Sequence, residues 1–162
     1  MQALFPGSFD PITVGHVDLI TRASHLFSSV VVVVADNPDK HGWLSVAQRV
    51  ALVEKAIAVL PNVTVTATDA LTVAFARKVG AQVIVRGIRN TQDDEFERNL
   101  AAVNYHLDPT IETVLLPSKP QLTFVSSSAV REIIRFGGDP KGLVPPVVVE
   151  ALGRMRDNER TN

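Results

Sequence analysis

The 162-residue chain contains no cysteine, which excludes a disulfide framework, a thiolate metal site and a cysteine nucleophile, and fits a reducing compartment. Cytoplasm is the expected location. Nor does charge of one sign dominate. Sixteen Lys plus Arg against seventeen Asp plus Glu leave a formal charge of -1, so neither nucleic acid nor an anionic membrane is an expected partner. Long hydrophobic runs are missing as well. The longest, at residues 30–35, is far too short to span a bilayer, and the N-terminus lacks the basic stretch and apolar region of a signal peptide. A soluble protein is expected, in which any anion site is built locally. No repeat or low-complexity tract appears, and the length predicts one domain over residues 1–162.

What is present is an alternation of two periods. Apolar, β-branched stretches at residues 1–5, 29–35, 62–67, 82–86 and 111–116 read as strands, and the unbroken run at 29–35 reads as one buried on both faces. Between them lie helical stripes. Leu19, Ala23 and Leu26 make one, and Val46, Val50, Val53, Ile57 and Leu60 make another, opened by Ser45 and Gln48 as a capping box. Phe96, Leu100, Val103 and Leu107 make a third, behind acidic residues that favour a helix N-terminus. Further helices are expected after Ser126 and Pro146, and the polar residues 156–162 are expected to be frayed or peripheral. The alternation predicts an α/β fold: a doubly wound, Rossmann-like sheet of about five parallel strands with helices on both faces.

In such sheets ligands sit beyond the carboxyl ends of the strands, and here those ends are rich in polar chemistry. The first strand runs into PGSFDPITVGH, the second into DNPDK, the fourth into RGIRN and the fifth into PSKPQLTFVSSS. Lys40, Arg86, Arg89 and several hydroxyls thus converge on one edge, as a phosphate chain requires. Neither G-x-x-x-x-G-K-[ST] nor G-x-G-x-x-G occurs, so the phosphate geometry is not that of a P-loop or a dinucleotide dehydrogenase.

Thr13-Val14-Gly15-His16 resembles the (H/T)-x-G-H signature of nucleotidyltransferases, and Ser126-Ser127-Ser128 resembles its partner I-S-S-S motif. With GSFDPITVGH, Lys40 in NPDK, RGIR at residues 86–89 and VSSS at 125–128, the chain resembles bacterial phosphopantetheine adenylyltransferases essentially end to end. The resemblance implies transfer of the adenylyl group of ATP to 4′-phosphopantetheine, with Mg²⁺ carried on the ATP phosphates and no dedicated protein metal ligands. It implies transition-state stabilisation by His16, with Ser8 on the reacting phosphates and Lys40 and Arg86 on the acceptor phosphate. ATP contacts are implied at Phe9, Gly87, Ile88, Arg89, Glu97 and along Leu122, Thr123, Phe124, Val125, Ser126, Ser127 and Ser128.

Thr72, with Leu71, Asn104 and Glu132 as further candidates, is implied for the pantetheine arm. A homohexamer and feedback by coenzyme A are implied too. The residues keep ordinary readings beside these: His16 as a helix cap, Glu97 as compensation of a helix dipole, and one of the three serines as an N-cap. Thr72, Asp94 and Leu122 depart from the family's pattern. Another nucleotidyltransferase, acting on nicotinamide mononucleotide or on glycerol phosphate, and a nucleotide-sensing module without turnover are the alternatives.

Overall fold

The computed structural model describes residues 1–36 and 42–161, with side chains up to residue 154; Lys40 therefore lies outside the described residues. Five strands, β1 (Gln2–Gly7), β2 (Ser29–Ala35), β3 (Val63–Thr68), β4 (Val83–Ile88) and β5 (Glu112–Pro117), form one sheet in the order β3-β2-β1-β4-β5. All pairings are parallel, with Leu4 opposite Val31 on one side and Ile84 on the other. The order reverses between β1 and β4, so the crevice of a doubly wound sheet opens above the ends of those two strands.

Alternation along the strands divides the core. Phe5, Val32, Val34 and Val85 face α1 (Val14–Leu26), α2 (Val46–Ala56), α5 (Ser127–Arg135) and α6 (Pro146–Thr161). Leu4, Val33 and Ile84 face α3 (Thr72–Val79), beside which α4 (Thr91–Leu107) packs. Because β2 has helices on both faces, Val30, Val32, Val33 and Val34 are all buried, as the unbroken apolar run predicted. Among the described residues no helix is long and apolar enough to cross a membrane.

The helix starts follow local chemistry. Thr13 caps α1, Ser45 forms the predicted capping box with Gln48 on α2, Asn90 accepts from the Asp93 N–H on α4, and Ser126 accepts from the Ala129 N–H on α5. Helix α3, for which no stripe was assigned in the sequence, is closed by Gly80 at φ 74. Helix α6 continues to Thr161, through the polar stretch expected to fray.

Two predicted stripes are corrected. Leu26 is exposed, and Ile20 joins Leu19 and Ala23 in the core instead. On α4, Phe96, Val103 and Leu107 are exposed, while the buried positions are Glu97 and Asn104. The inward face of that helix is polar because it meets the end of β4, where Arg86 stands. Strands β1 and β4 also run two residues further than expected, to Gly7 and Ile88.

The left-handed backbone at Gly80 sets a test. A Cβ there meets open space, so Gly80→Ala isolates the conformational cost, about 1 kcal/mol, and should appear as a lowered urea midpoint with an unchanged m-value.

Candidate active site

A cleft of about 270 Å³ opens at the β1/β4 reversal, lined by Gly7, Ser8, Thr13, Gly15 and His16 from the first loop and the start of α1, by Arg86, Gly87, Arg89, Asp93 and Glu97 from β4 and α4, and by 125–128 at the start of α5. Three segments remote in sequence are thus brought together, as the motifs required. Their meeting depends on close approach. An added Cβ at Gly87 would overlap Leu19, and one at Gly7 would lie 2.9 Å from the Phe9 ring.

The first loop is shaped by Phe9, whose φ of 47 is in the left-handed region and whose side chain is buried. A bulky residue holds that conformation only where its surroundings enforce it. Here the ring packs edge-on beneath His16, with centroids 5.2 Å apart, and against Phe5. The Phe9 side chain is a structural wedge; only its backbone is left for a nucleotide.

His16 is the third residue of the α1 capping box. Its backbone N–H donates to Thr13 Oγ1 at 3.3 Å, and the Thr13 N–H donates to its Nδ1 at 3.1 Å. An Nδ1 that accepts a hydrogen bond carries no proton, so the neutral ring keeps its proton on Nε2, away from Thr13. Burial, reinforced by the Arg89 and Arg86 charges, lowers the His16 pKa from 6.5 to about 4. The cap and the catalytic reading are therefore compatible: capping uses one ring nitrogen and leaves an N–H donor.

Arg86 is held by a bidentate pair with Glu97, Nε to Oε2 at 2.7 Å and NH2 to Oε1 at 2.6 Å, and its NH1 donates to the Pro6 carbonyl at 2.8 Å. Glu97 is thus an orienting partner for Arg86 rather than mere compensation of a helix dipole. Arg89 is gripped similarly by Asp93, which accepts from Nε at 2.7 Å, from NH2 at 3.1 Å and from the Arg89 N–H at 3.1 Å. The Arg89 hydrogen bond, foremost, holds the Asp93 carboxyl below its ordinary range. With five donors on each guanidinium, both forks retain N–H groups for an anion while their planes are set in advance.

Of the three serines, Ser126 is the N-cap, Ser127 donates to the Pro11 carbonyl at 2.8 Å, and Ser128 accepts from Arg131 at 3.2 Å. All three line the cleft with Val125, while Leu122, Thr123 and the exposed Phe124 lie outside its wall. Ile88 also lies outside it. The pantetheine candidates divide. Leu71, Thr72 and Asn104 lie on α3 and α4, or just before α3, on one side of the sheet; Glu132 lies on α5, on the other side, in a depression with Trp43, Arg131 and Phe136.

Three polar residues escaped the sequence reading. Asp10 is buried and accepts from the N–H groups of Trp43 at 2.7 Å and Leu44 at 2.8 Å. Arg49 is buried and donates from NH1 to the carbonyls of Ser8 at 3.0 Å and Ala35 at 3.2 Å. Arg131 donates to the Asp10 carbonyl. Only Arg49 carried a signal: it falls between Val46 and Val53 on an apolar helix face, where an isolated cation is out of place.

The His16 environment makes a measurable statement about pH. By ring-proton NMR, His16 should remain neutral at pH 6 and titrate near pH 4. Since the unfolded ring titrates near 6.5, the unfolded state binds the extra proton first, so this group favours the fold above pH 6.5 and its contribution is lost as pH falls from there towards 4. A ring that protonates above pH 6 in the free protein would contradict the geometry.

Residues 4–133 match the family model described as cytidylyltransferase-like. Curated phosphopantetheine adenylyltransferases are similar over nearly the whole length: that of Levilactobacillus brevis is 53% identical over 150 residues, covering 93% of each chain, and that of Xylella fastidiosa is 49% identical with the same coverage. The Latilactobacillus sakei protein of the same name is 50% identical, covering 93% of this chain and 92% of its own. Among solved structures, a candidate nicotinate-nucleotide adenylyltransferase of Vibrio parahaemolyticus superposes with a TM-score of 0.74 at 22% identity, covering 94% of this chain and 91% of that one, a likeness of fold. With the family model spanning most of the chain, and the motifs of the sequence gathered in one cleft, the chain belongs to the phosphopantetheine adenylyltransferase family of cytidylyltransferase-like proteins.

Proposed function

We propose that this chain transfers the adenylyl group of ATP to 4′-phosphopantetheine, giving dephospho-coenzyme A and pyrophosphate. The observation that carries the reading is the convergence of the Ser8–His16 loop, the Arg86–Arg89 pair and the serine turn on one cleft at the strand-order reversal. Near-half identity to relatives bearing that name, over 93% of the chain, selects the acceptor.

A phosphate oxygen of the acceptor forms a bond to the α-phosphorus of ATP as the bond to the bridging oxygen breaks, and pyrophosphate leaves with the electron pair. No protein nucleophile is needed, so the work is positioning and charge stabilisation. His16 Nε2–H donates to an α- or β-phosphate oxygen, Ser8 donates its hydroxyl to the reacting phosphates, and Arg86 presents its remaining N–H groups to the acceptor phosphate, a role that the resemblance also gives to Lys40. Arg89 and the start of α5 take the triphosphate. The reading is supported by the preset arginine planes and by the single tautomer left to His16.

Mg²⁺, when bound, supplies positive charge on the ATP phosphates. Asp93 and Glu97, the carboxylates in the cleft wall among the described residues, are both engaged by arginines, a donor set that fits a metal arriving on phosphate oxygens rather than a protein cage. A cysteine-free enzyme that consumes ATP fits the cytoplasm. Feedback by coenzyme A would use the same cleft. Self-association, which the resemblance makes a homohexamer, is supported by the exposed apolar face of α4, where Phe96, Val103 and Leu107 stand 64%, 54% and 47% exposed.

Incubation with ATP and 4′-phosphopantetheine should release pyrophosphate; release with nicotinamide mononucleotide alone would overturn the assignment. His16→Ala should lower turnover about 10²- to 10³-fold while ATP still binds, the cost of removing one preorganised donor. For the assembly, Val103→Glu should give a smaller species than the parent in sedimentation velocity.

A further inference from the structure

The buried arginine on α2 has no part in the mechanism above, and the structure says what it does. Arg49 is 5% exposed, and among the described residues its Nε has no hydrogen-bond partner and the carboxylate paired with it, on Asp36, stands 3.6 Å away and is 45% exposed. Burying a guanidinium with an unmet donor is costly, and a distant, solvated carboxylate offsets little of that cost. Its well-made contacts are two backbone carbonyls: Ala35 at the end of β2 and Ser8 in the reacting loop.

The Ser8 carbonyl and the Phe9 N–H belong to one peptide plane. In a trans peptide the two point in opposite directions, so fixing the carbonyl on Arg49 fixes the N–H on the far side. Arg49 lies outside the cleft lining, whereas Gly7 and Ser8 are in it. The Phe9 backbone is itself left-handed at φ 47, so the turn that carries this N–H departs from ordinary extended or helical backbone and needs its surroundings to hold it.

Resting on the adenylyl-transfer reading, we infer that Arg49 is a positioning residue: by holding the Ser8 carbonyl against the end of β2 it keeps the Phe9 N–H and the Ser8 side chain oriented toward the reacting phosphates. It touches no substrate. The same logic operates at neighbouring carbonyls, where Arg86 holds Pro6 and Arg131 holds Asp10, but those two arginines also bond the Glu97 carboxylate and the Ser128 hydroxyl, whereas among the described residues the hydrogen bonds of Arg49 go to backbone carbonyls.

The test compares the parent enzyme with Arg49→Met, Arg49→Lys and Leu52→Ala, the last a buried residue on α2 whose aliphatic side chain can donate no hydrogen bond to these carbonyls. Arg49→Met should lower kcat about 10- to 100-fold, the scale of a slightly misplaced reacting group, with a smaller change in KM for ATP. Arg49→Lys, reaching a single carbonyl, should lose about three- to tenfold. Leu52→Ala should lower Tm and leave kcat near the parent value.

Independently of turnover, addition of inorganic pyrophosphate should shift the Phe9 amide resonance in the parent and not in Arg49→Met. Thus a parent without turnover would fail the reaction reading while the amide still reports on Arg49. An unchanged kcat and amide response in Arg49→Met, or an equal kcat loss in Leu52→Ala, would overturn the inference. Should Arg49→Met fail to fold, Arg49→Lys decides by the same two measurements, with parent-like values overturning it.

Discussion

Three carbonyls at the end of β1 and in the loop that follows it, those of Pro6, Ser8 and Asp10, are each held by an arginine, from β4, α2 and α5 respectively. A fourth, that of Pro11, accepts from the Ser127 hydroxyl. A polar loop at the end of a buried strand must satisfy its backbone or lose stability, and helix and sheet partners are out of reach for it. Side chains from three separate elements meet that need. In doing so they draw β4, α2 and α5 around the loop and give it one conformation.

That arrangement orders the charges of the site. Arg86 and Arg89 are each locked to a carboxylate on α4, so the cleft holds oriented guanidinium planes while its local charge stays nearly balanced. Such a site attracts phosphate through directed N–H donors more than through excess positive charge, in keeping with a chain whose formal charge is only -1. His16 follows the same rule. Neutral because it is buried beside two cations, it offers an N–H at a helix start rather than a positive charge.

Much of the fold was legible because it rests on period. The valine run at 29–35, the Ser45 and Gln48 capping box and the five strand positions all follow from local patterns that the environment reinforces. Helix α4 misled because its apolar stripe faces outward, leaving Glu97 and Asn104 buried; an amphipathic stripe announces a covered face without saying whether the cover comes from the same chain. The motif residues Ser8, His16, Arg86, Arg89 and the serine turn were legible through resemblance, since their chemistry is tied to short spacings. Glu132 was not separable from Leu71, Thr72 and Asn104 in the sequence, because which face of the sheet a helix occupies is a property of the winding.

The sequence by itself therefore determined the alternation of strands and helices, the absence of thiol chemistry, and the set of phosphate-seeking residues at the strand ends, because these are written in neighbouring positions. Only the tertiary structure decided how those residues are held: Glu97 on Arg86, Asp93 on Arg89, Phe9 under His16, and Arg49 on the Ser8 carbonyl. The first three join residues close in the chain but depend on how a strand end, a turn and a helix are set against one another, whereas Arg49 lies 41 residues from Ser8, and a backbone carbonyl carries no residue identity from which such a partner is read.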